Sequence, residues 1–538
     1  MRKSRIVLAL LAMALTAAAG AAAARNTFEF AGPKPVERLV LPAEVNPQHY
    51  ELEIVPDVQK LTFTGRVAID LKVAKATDRI ALNAVELTFD KVVLDGKASP
   101  VRTETDEPRQ AVVFVFAKPI KPGVHRLVID YRGPINRSSS GFFAVDYDTD
   151  GGKERLIATK FEPAAARRFL PSFDEPGRKA TFTVTATVPA DRMAISNMPV
   201  AQETPLPGGL KKVRFQKTPK MARYLLFFGA GNFERVSEQV DGVDVGVIVR
   251  KGAGDKARFA LDAGARTVRL YNDYFATPYP LPKLDLIASP GAGSFGAMEN
   301  WGAIFFFETS MLVDPKTSTD ADKQRVFSTV AHEIAHMWFG DLVTMEWWDD
   351  LWLNEGFASW MAAKATDRLH PEWKPWLGEM SGRETALKLD ALPTTHPVIG
   401  RLADVNQANL AFDSITYEKG QAVIRMVEAY VGEDAFRQGV RAYMKKHAYG
   451  STVTDDLWTD VEAAAGKPVR AIAGDFLNQP GIPLIDVQAG DRVVLNQRRF
   501  SWGDTGGRWR APVTLKPLGS DQTMRVLAEP GTTLDIGG

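Results

Sequence analysis

The 538-residue chain contains no cysteine. Disulfide bridges, thiolate metal sites and cysteine nucleophiles are therefore excluded. Neither charge is in surplus: 66 basic residues stand against 65 acidic ones, a formal net charge of +1. That balance leaves no electrostatic footprint for nucleic acid or an anionic membrane surface. Beyond the first two dozen residues no apolar run reaches the roughly 20 residues a bilayer span needs. Histidine is scarce, at seven. Hydrophobic residues (45%) and charged residues (24%) are in ordinary proportion, which excludes a largely disordered chain. The length exceeds one hydrophobic core, since domains cluster near about 100–200 residues.

Arg2, Lys3 and Arg5 precede an apolar run from Ile6 to about Leu15, followed by Thr16 and a stretch of alanines. A basic start, a short apolar core and a small-residue exit describe a secretory signal peptide over 1–24, cleaved near Ala24. The expected mature chain is exported, periplasmic or secreted from a bacterium, with no integral membrane segment. From His49 to about Val249 the pattern is mainly β. Val67, Ile69, Leu71 and Val73 alternate with small or polar residues, as do Phe182, Val184, Ala186 and Val188, the period of a half-buried strand. From about Asp255 helical spacing takes over, beginning with Phe259, Ala263, Val268 and Leu270. Glu418 to His447 reads as the longest helical stretch. Gln479-Pro480-Gly481-Ile482-Pro483 ends the helical pattern, and short strands follow at Leu484 to Val487 and Val493 to Leu495. The expected architecture is multidomain α+β: a β domain over 25–235, a mixed, mostly helical domain over 236–478, and a short β segment over 479–538.

The strongest chemical signal is His332-Glu333-Ile334-Ala335-His336. Residues four apart share one helical face, so two imidazoles can reach one ion with Glu333 beside it. A catalytic zinc site takes three protein ligands and keeps one position open. Glu355, separated from His336 by eighteen residues and at the start of a second helical pattern, is the leading third ligand. Asp349 and Asp350 rival it on spacing alone, although carboxylates also favour a helix N-terminal end. One Zn2+ per chain is expected. It would lower the pKa of a water, and Glu333 would serve as general base. His49, His125, His370, His396 and His447 have no paired ligand spacing and read as ordinary histidines.

Gly296-Ala297-Met298-Glu299-Asn300, upstream of H-E-x-x-H-x18-E, resembles the exopeptidase motif of zinc aminopeptidases of the aminopeptidase N family. Phe173-Asp174-Glu175-Pro176, the run Trp347 to Gly356 and the run Phe412 to Gly420 match further motifs in the family's order, and the similarity spans roughly 40–487. The resemblance implies a saddle-like β domain, a thermolysin-like catalytic domain and a β-sandwich-like segment. About 60 residues follow Asn478, fewer than a complete sandwich takes, which leaves open a naturally short member or a chain cut before a helical domain. The resemblance also implies His332, His336 and Glu355 as zinc ligands and Glu333 as general base. Glu299 and Glu162 would bind the substrate's free α-amino group, and Tyr417 would donate to the tetrahedral oxyanion. Gly296, Ala297 and Met298 would lie along the substrate, and Phe295 would border the first specificity pocket. An exopeptidase must tell a charged amine from mid-chain, and two carboxylates in a low-dielectric pocket do so.

Four positions depart from the family pattern. Lys160 stands where glutamine is common, Ser172 where cysteine is common, and Met337 with Asp341 where amides are usual. Lys160 predicts an altered substrate preference, because a cation there repels the substrate's ammonium unless the side chain turns away. Asp341 reads as a solvent-facing helix end, the alternative being a partner that supports the metal ligands from behind. The expected function is an exported zinc aminopeptidase acting on peptides with a free N-terminus. The alternatives are a catalytically inactive peptide-binding or scaffold protein of the same fold, and a zinc hydrolase with other selectivity.

Overall fold

A computed structural model describes residues 36–291, 295–490, 492–503, 506–516, 523–529 and 532–534. The expected signal peptide lies outside them. Among the described residues no helix is long and apolar enough to cross a membrane.

The first unit is built by alternation. In Thr62–Val73 the side chains of Phe63, Val67, Ile69, Leu71 and Val73 are buried while Thr64, Arg66 and Lys72 face out, the period-two pattern of a sheet with one covered face. This strand pairs antiparallel with Val45–Asp57 and with Gly123–Pro134. Val45–Asp57 also pairs parallel with Thr181–Pro189, all within a seven-stranded sheet. A four-stranded sheet runs in the order Gly141–Thr149, Gly152–Lys160, Phe228–Gly231, Met193–Ser196. Its second strand ends at Lys160 and so delivers Glu162 to the seam with the second unit.

The hairpin Phe233–Val240 and Val243–Arg250, which reads in sequence as part of the β domain, belongs to a different sheet. It pairs parallel with Lys283–Ser289. Ala303–Phe307 and the two-residue edge strand Ala297–Met298 complete those five strands. Phe233–Val240 runs across position 235–236, where the first domain boundary was expected. Both faces of Lys283–Ser289 are buried, as a parallel strand requires.

Helices α1 (Arg258–Phe275), α2 (Asp320–His336), α3 (Trp352–Leu369) and α4 (Pro375–Asp390) follow. Then come α5 (Gly420–Val431), α6 (Glu433–His447), α7 (Thr454–Ala465) and α8 (Val469–Leu477). The stretch Glu418 to His447 is therefore not one helix. Gly432, at φ +99°, breaks it between α5 and α6, where helix propensity is also weakest. Residues Ile415–Lys419 form a π-type turn leading into α5. Beyond α8, Pro483–Ala489, Val493–Arg499 and Thr532–Leu534 make one small sheet and Ala511–Leu515 with Met524–Ala528 another. One continuous apolar core joins the two large units, with Trp301, Trp338, Trp352 and Trp360 fully buried within it.

Candidate metal centre and cleft

Helix α2 presents the metal motif because its apolar stripe fixes its rotation. Val326, Phe327, Val330, Ala331 and Ile334 are buried. Thr319 caps the helix by accepting from the Asp322 N–H at 3.2 Å, while the Asp322 carboxylate accepts from the Thr319 N–H at 2.9 Å, a reciprocal capping box. His332 Nε2 and His336 Nε2 then lie 3.1 Å apart. Glu355 Oε2, from the first turn of α3, is 3.3 Å from the former and 3.4 Å from the latter. His336 Nδ1 meets the Phe339 carbonyl at 3.0 Å. A carbonyl can only accept, so Nδ1 carries the proton and Nε2 offers its lone pair.

His332 Nε2, His336 Nε2 and Glu355 Oε2 face one another closely enough to hold one cation between them. A tetrahedral zinc site with ligand bonds of about 2.0–2.2 Å places its donors about 3.3–3.5 Å apart, and the observed triangle fits. Asp349 and Asp350 are not brought to it. Asp349 accepts from Arg38 at 2.7 Å and from the Leu402 N–H at 2.7 Å, and Asp350 accepts from the Thr454 hydroxyl at 2.5 Å.

The donors open into a cleft of about 540 Å³ between the two units. Glu333 and Tyr417 line it beside the donors. Phe295, Gly296, Ala297 and Glu299 come from the edge of the five-stranded sheet, and Glu162 comes from the first unit. Met298 is buried in the sheet and lies outside the cleft wall. The Tyr417 ring stacks parallel to His332, with centroids 6.2 Å apart.

Four carboxylates converge here, all almost fully buried. Glu162 Oε1, Glu299 Oε1 and Glu333 Oε2 have no hydrogen-bond partner. Burial raises Glu333 well above the carboxylate range, with His336 opposing and Glu299 adding to the rise. Burial likewise raises Glu162, reinforced by Glu299, and raises Glu299. Burial alone would raise Glu355 too, but His336 and His332 outweigh it and hold its carboxyl low. For His336, burial opposes protonation and Glu299 and Glu355 outweigh it, so its pKa is raised. Burial and the nearby carboxylates keep the Tyr417 phenol protonated far past neutrality. A cation placed among these carboxyls would favour their ionised forms and offset the cost of burying them, so the cleft is suited to cations.

Several features were not foreseen. Asp341 is fully buried rather than solvent-facing; both carboxylate oxygens lack a hydrogen-bond partner, and burial raises its pKa. The chain stays in the core after α2, every residue from 337 to 345 being buried. Asn409, from the short 3-10 helix Val405–Ala411, and Phe412, Ser139 and Ser140, from loops, also line the cleft. Lys160 does not turn away: Nζ donates to the Glu162 carbonyl at 2.5 Å, 4.0 Å from Glu162 Oε2 and over the Phe295 ring. Ser172 is buried in the core. Away from the donors, His49 bonds to Thr181, and His125, His370 and His396 bond to carboxylates, while His447 Nε2 lies 3.6 Å from Asp460 Oδ2.

Residues 46–225 match the family model described as the peptidase M1 N-terminal domain, and residues 259–476 match the peptidase family M1 domain. The chain is 42% identical over 489 residues to aminopeptidase M1 of Arabidopsis thaliana, covering 88% of this chain and 55% of that one. It is 38% identical over 494 residues to probable aminopeptidase 2 of Sulfurisphaera tokodaii, covering 91% and 61%. It is 38% identical over 493 residues to puromycin-sensitive aminopeptidase of Caenorhabditis elegans, covering 88% and 52%. The chain thus spans about half the length of the curated relatives it matches.

Proposed function

The chain belongs to peptidase family M1, and from that premise we propose that it removes the N-terminal residue from peptides by zinc-dependent hydrolysis. The observation that carries this reading is one cleft holding a three-donor triangle, a carboxylate beside it, and two further buried carboxylates with unpartnered oxygens.

His332, His336 and Glu355 would hold the ion. When bound, zinc supplies Lewis acidity, lowering the pKa of a water molecule and polarising a carbonyl. Glu333 takes the proton of the attacking water and returns it to the leaving amine. The Tyr417 hydroxyl keeps its proton and donates to the oxygen on which charge develops. The edge strand at Ala297 offers backbone groups with which an extended peptide can pair. Glu162 and Glu299 accept hydrogen bonds from the substrate's ammonium and close that end of the cleft. Glu299, Glu333 and His336 form a second possible cation group. His336 Nε2 already faces the first triangle, so an ammonium suits that second group better than another metal. The Glu162 carboxylate is shared with Lys160, so Lys160→Gln should re-rank the preferred first residue. An unchanged ranking would count against that role.

Mass-spectrometric sampling of an unmodified peptide tests the reading. Stepwise loss of single N-terminal residues supports it. Internal cuts would favour an endopeptidase, and an intact peptide would favour a binding protein. We also propose export, supported by the basic and apolar pattern of residues 2–24. N-terminal sequencing of the periplasmic or secreted protein tests it, and recovery of the uncleaved chain in the cytoplasm would overturn it.

A further inference from the structure

The turn that carries Tyr417 is held at both ends by groups outside the cleft. At its start, Asp413 Oδ1 accepts from the Ile415 N–H at 3.0 Å and the Thr416 N–H at 3.1 Å, and Asp413 Oδ2 meets His396 Nε2 at 2.7 Å. At its end stands Lys419, a lysine with a 5% exposed side chain. Its ammonium lies 2.8 Å from Asp390 Oδ2 and donates to the Gly481 carbonyl at 3.0 Å. The Gly481 N–H returns a bond to Asp390 Oδ1 at 2.7 Å, and the Thr395 hydroxyl donates to the same oxygen at 2.9 Å.

A buried lysine is costly unless paired. This one is two residues from Tyr417, and its partners come from the end of α4 and from the segment leading into the C-terminal strands. Within the turn the Tyr417 N–H donates to the Asp413 carbonyl and the Glu418 and Lys419 N–H groups to the Ser414 carbonyl, each at 3.1 Å. The contacts of Asp413 and Lys419 anchor both of its ends to neighbouring elements. Gly420, the first residue of α5 directly after the turn, abuts α3, its backbone lying against Gly356, the neighbour of Glu355.

We propose that Lys419 is a positioning residue. Bridging Asp390 and the Gly481 carbonyl, it fixes the Tyr417 hydroxyl over the donor triangle and makes the C-terminal segment part of the working site. This rests on Tyr417 acting as the oxyanion donor proposed above. Misplacing such a donor by about 1 Å is worth about tenfold to a hundredfold in kcat.

Turnover is measured for the wild type, Lys419→Met, Tyr417→Phe and the double variant, all zinc-loaded. Lys419→Met should lower kcat by about tenfold to a hundredfold while KM moves less than about threefold. In the Tyr417→Phe background it should add no loss, because the hydroxyl it positions is gone. Losses that multiply, or a Lys419→Met enzyme with wild-type kcat, would overturn the proposal. A Tyr417→Phe enzyme with undiminished kcat would instead sink the oxyanion role. A second readout needs no turnover: the 19F resonance of 3-fluorotyrosine at position 417. It should shift in Lys419→Met and in Asp390→Asn, whose amide oxygen can still accept from Gly481 and Thr395 and so spares the fold. A resonance unmoved in both variants would overturn the positioning role.

Discussion

Glu333 and Glu299 are both buried carboxylates with an unpartnered oxygen, yet their assigned work differs, and so should their variants. Glu333→Gln keeps the size and leaves the donor triangle intact, so zinc content should match the wild type. With the proton acceptor gone, kcat should fall by at least about a hundredfold. Metal analysis beside steady-state kinetics separates that outcome from a lost metal. Glu299→Gln should mainly weaken capture of the free amine, raising KM and narrowing the preference for free over N-acetylated substrates. An unchanged preference would move the amine site elsewhere. At this scale the metal motif was legible because four-residue spacing on one helix is local, and Glu355 came with it. Asp341 was not legible, since burial after a helix end depends on what packs above it. Glu162 and Tyr417 were found by family resemblance alone, their approach to the metal site being wholly tertiary.

Helices α3 and α5 meet closely at a pair of glycines. A side chain at Gly356 would place its Cβ 3.2 Å from the Gly420 carbonyl carbon, and neither is a flexible tip that could give way. Gly356→Val should therefore cost about 1–3 kcal/mol of stability, read by denaturant unfolding. It should also disturb zinc affinity, through Glu355 next door. The His396–Asp413 contact at the start of the Tyr417 turn adds a pH dependence. The Asp413 hydrogen bond raises His396 above its usual 6.5, burial opposing. Burial would raise Asp413, but His396 and backbone N–H groups outweigh it and hold it below 3.8. The histidine contribution is therefore full below 6.5 and lost as pH rises through the raised folded value. The aspartate contribution is present above 3.8 and lost as pH falls through the depressed one. The melting-temperature gap between wild type and His396→Gln should be widest near about pH 5–6 and close towards about pH 9. A gap that widens with alkalinity would contradict this. Strand and helix patterns were legible wherever their period persisted. Where Gly432 interrupts an otherwise continuous stripe, periodicity alone ran two helices together.

Across the whole molecule, the cleft exists only because two units are docked. Glu162 arrives from the first and the metal donors from the second, with Lys179 of the first unit donating to the Asp341 and Leu342 carbonyls of the second. The order of a β unit, a helical unit and a β segment followed from composition and period. That the hairpin 233–250 joins the second sheet did not, because strand partnership is set by distant sequence. The central claim is that this shared cleft recognises a free amine and uses a metal to hydrolyse the bond beside it. Its most direct test is the hydrolysis of a panel of chromogenic aminoacyl amides beside their N-acetylated counterparts, with chelator and after zinc is restored. Cleavage of the free amines only, abolished by the chelator and recovered with zinc, is the predicted result. Equal cleavage of the acetylated compounds, or turnover that persists in protein shown to be metal-free, would contradict it.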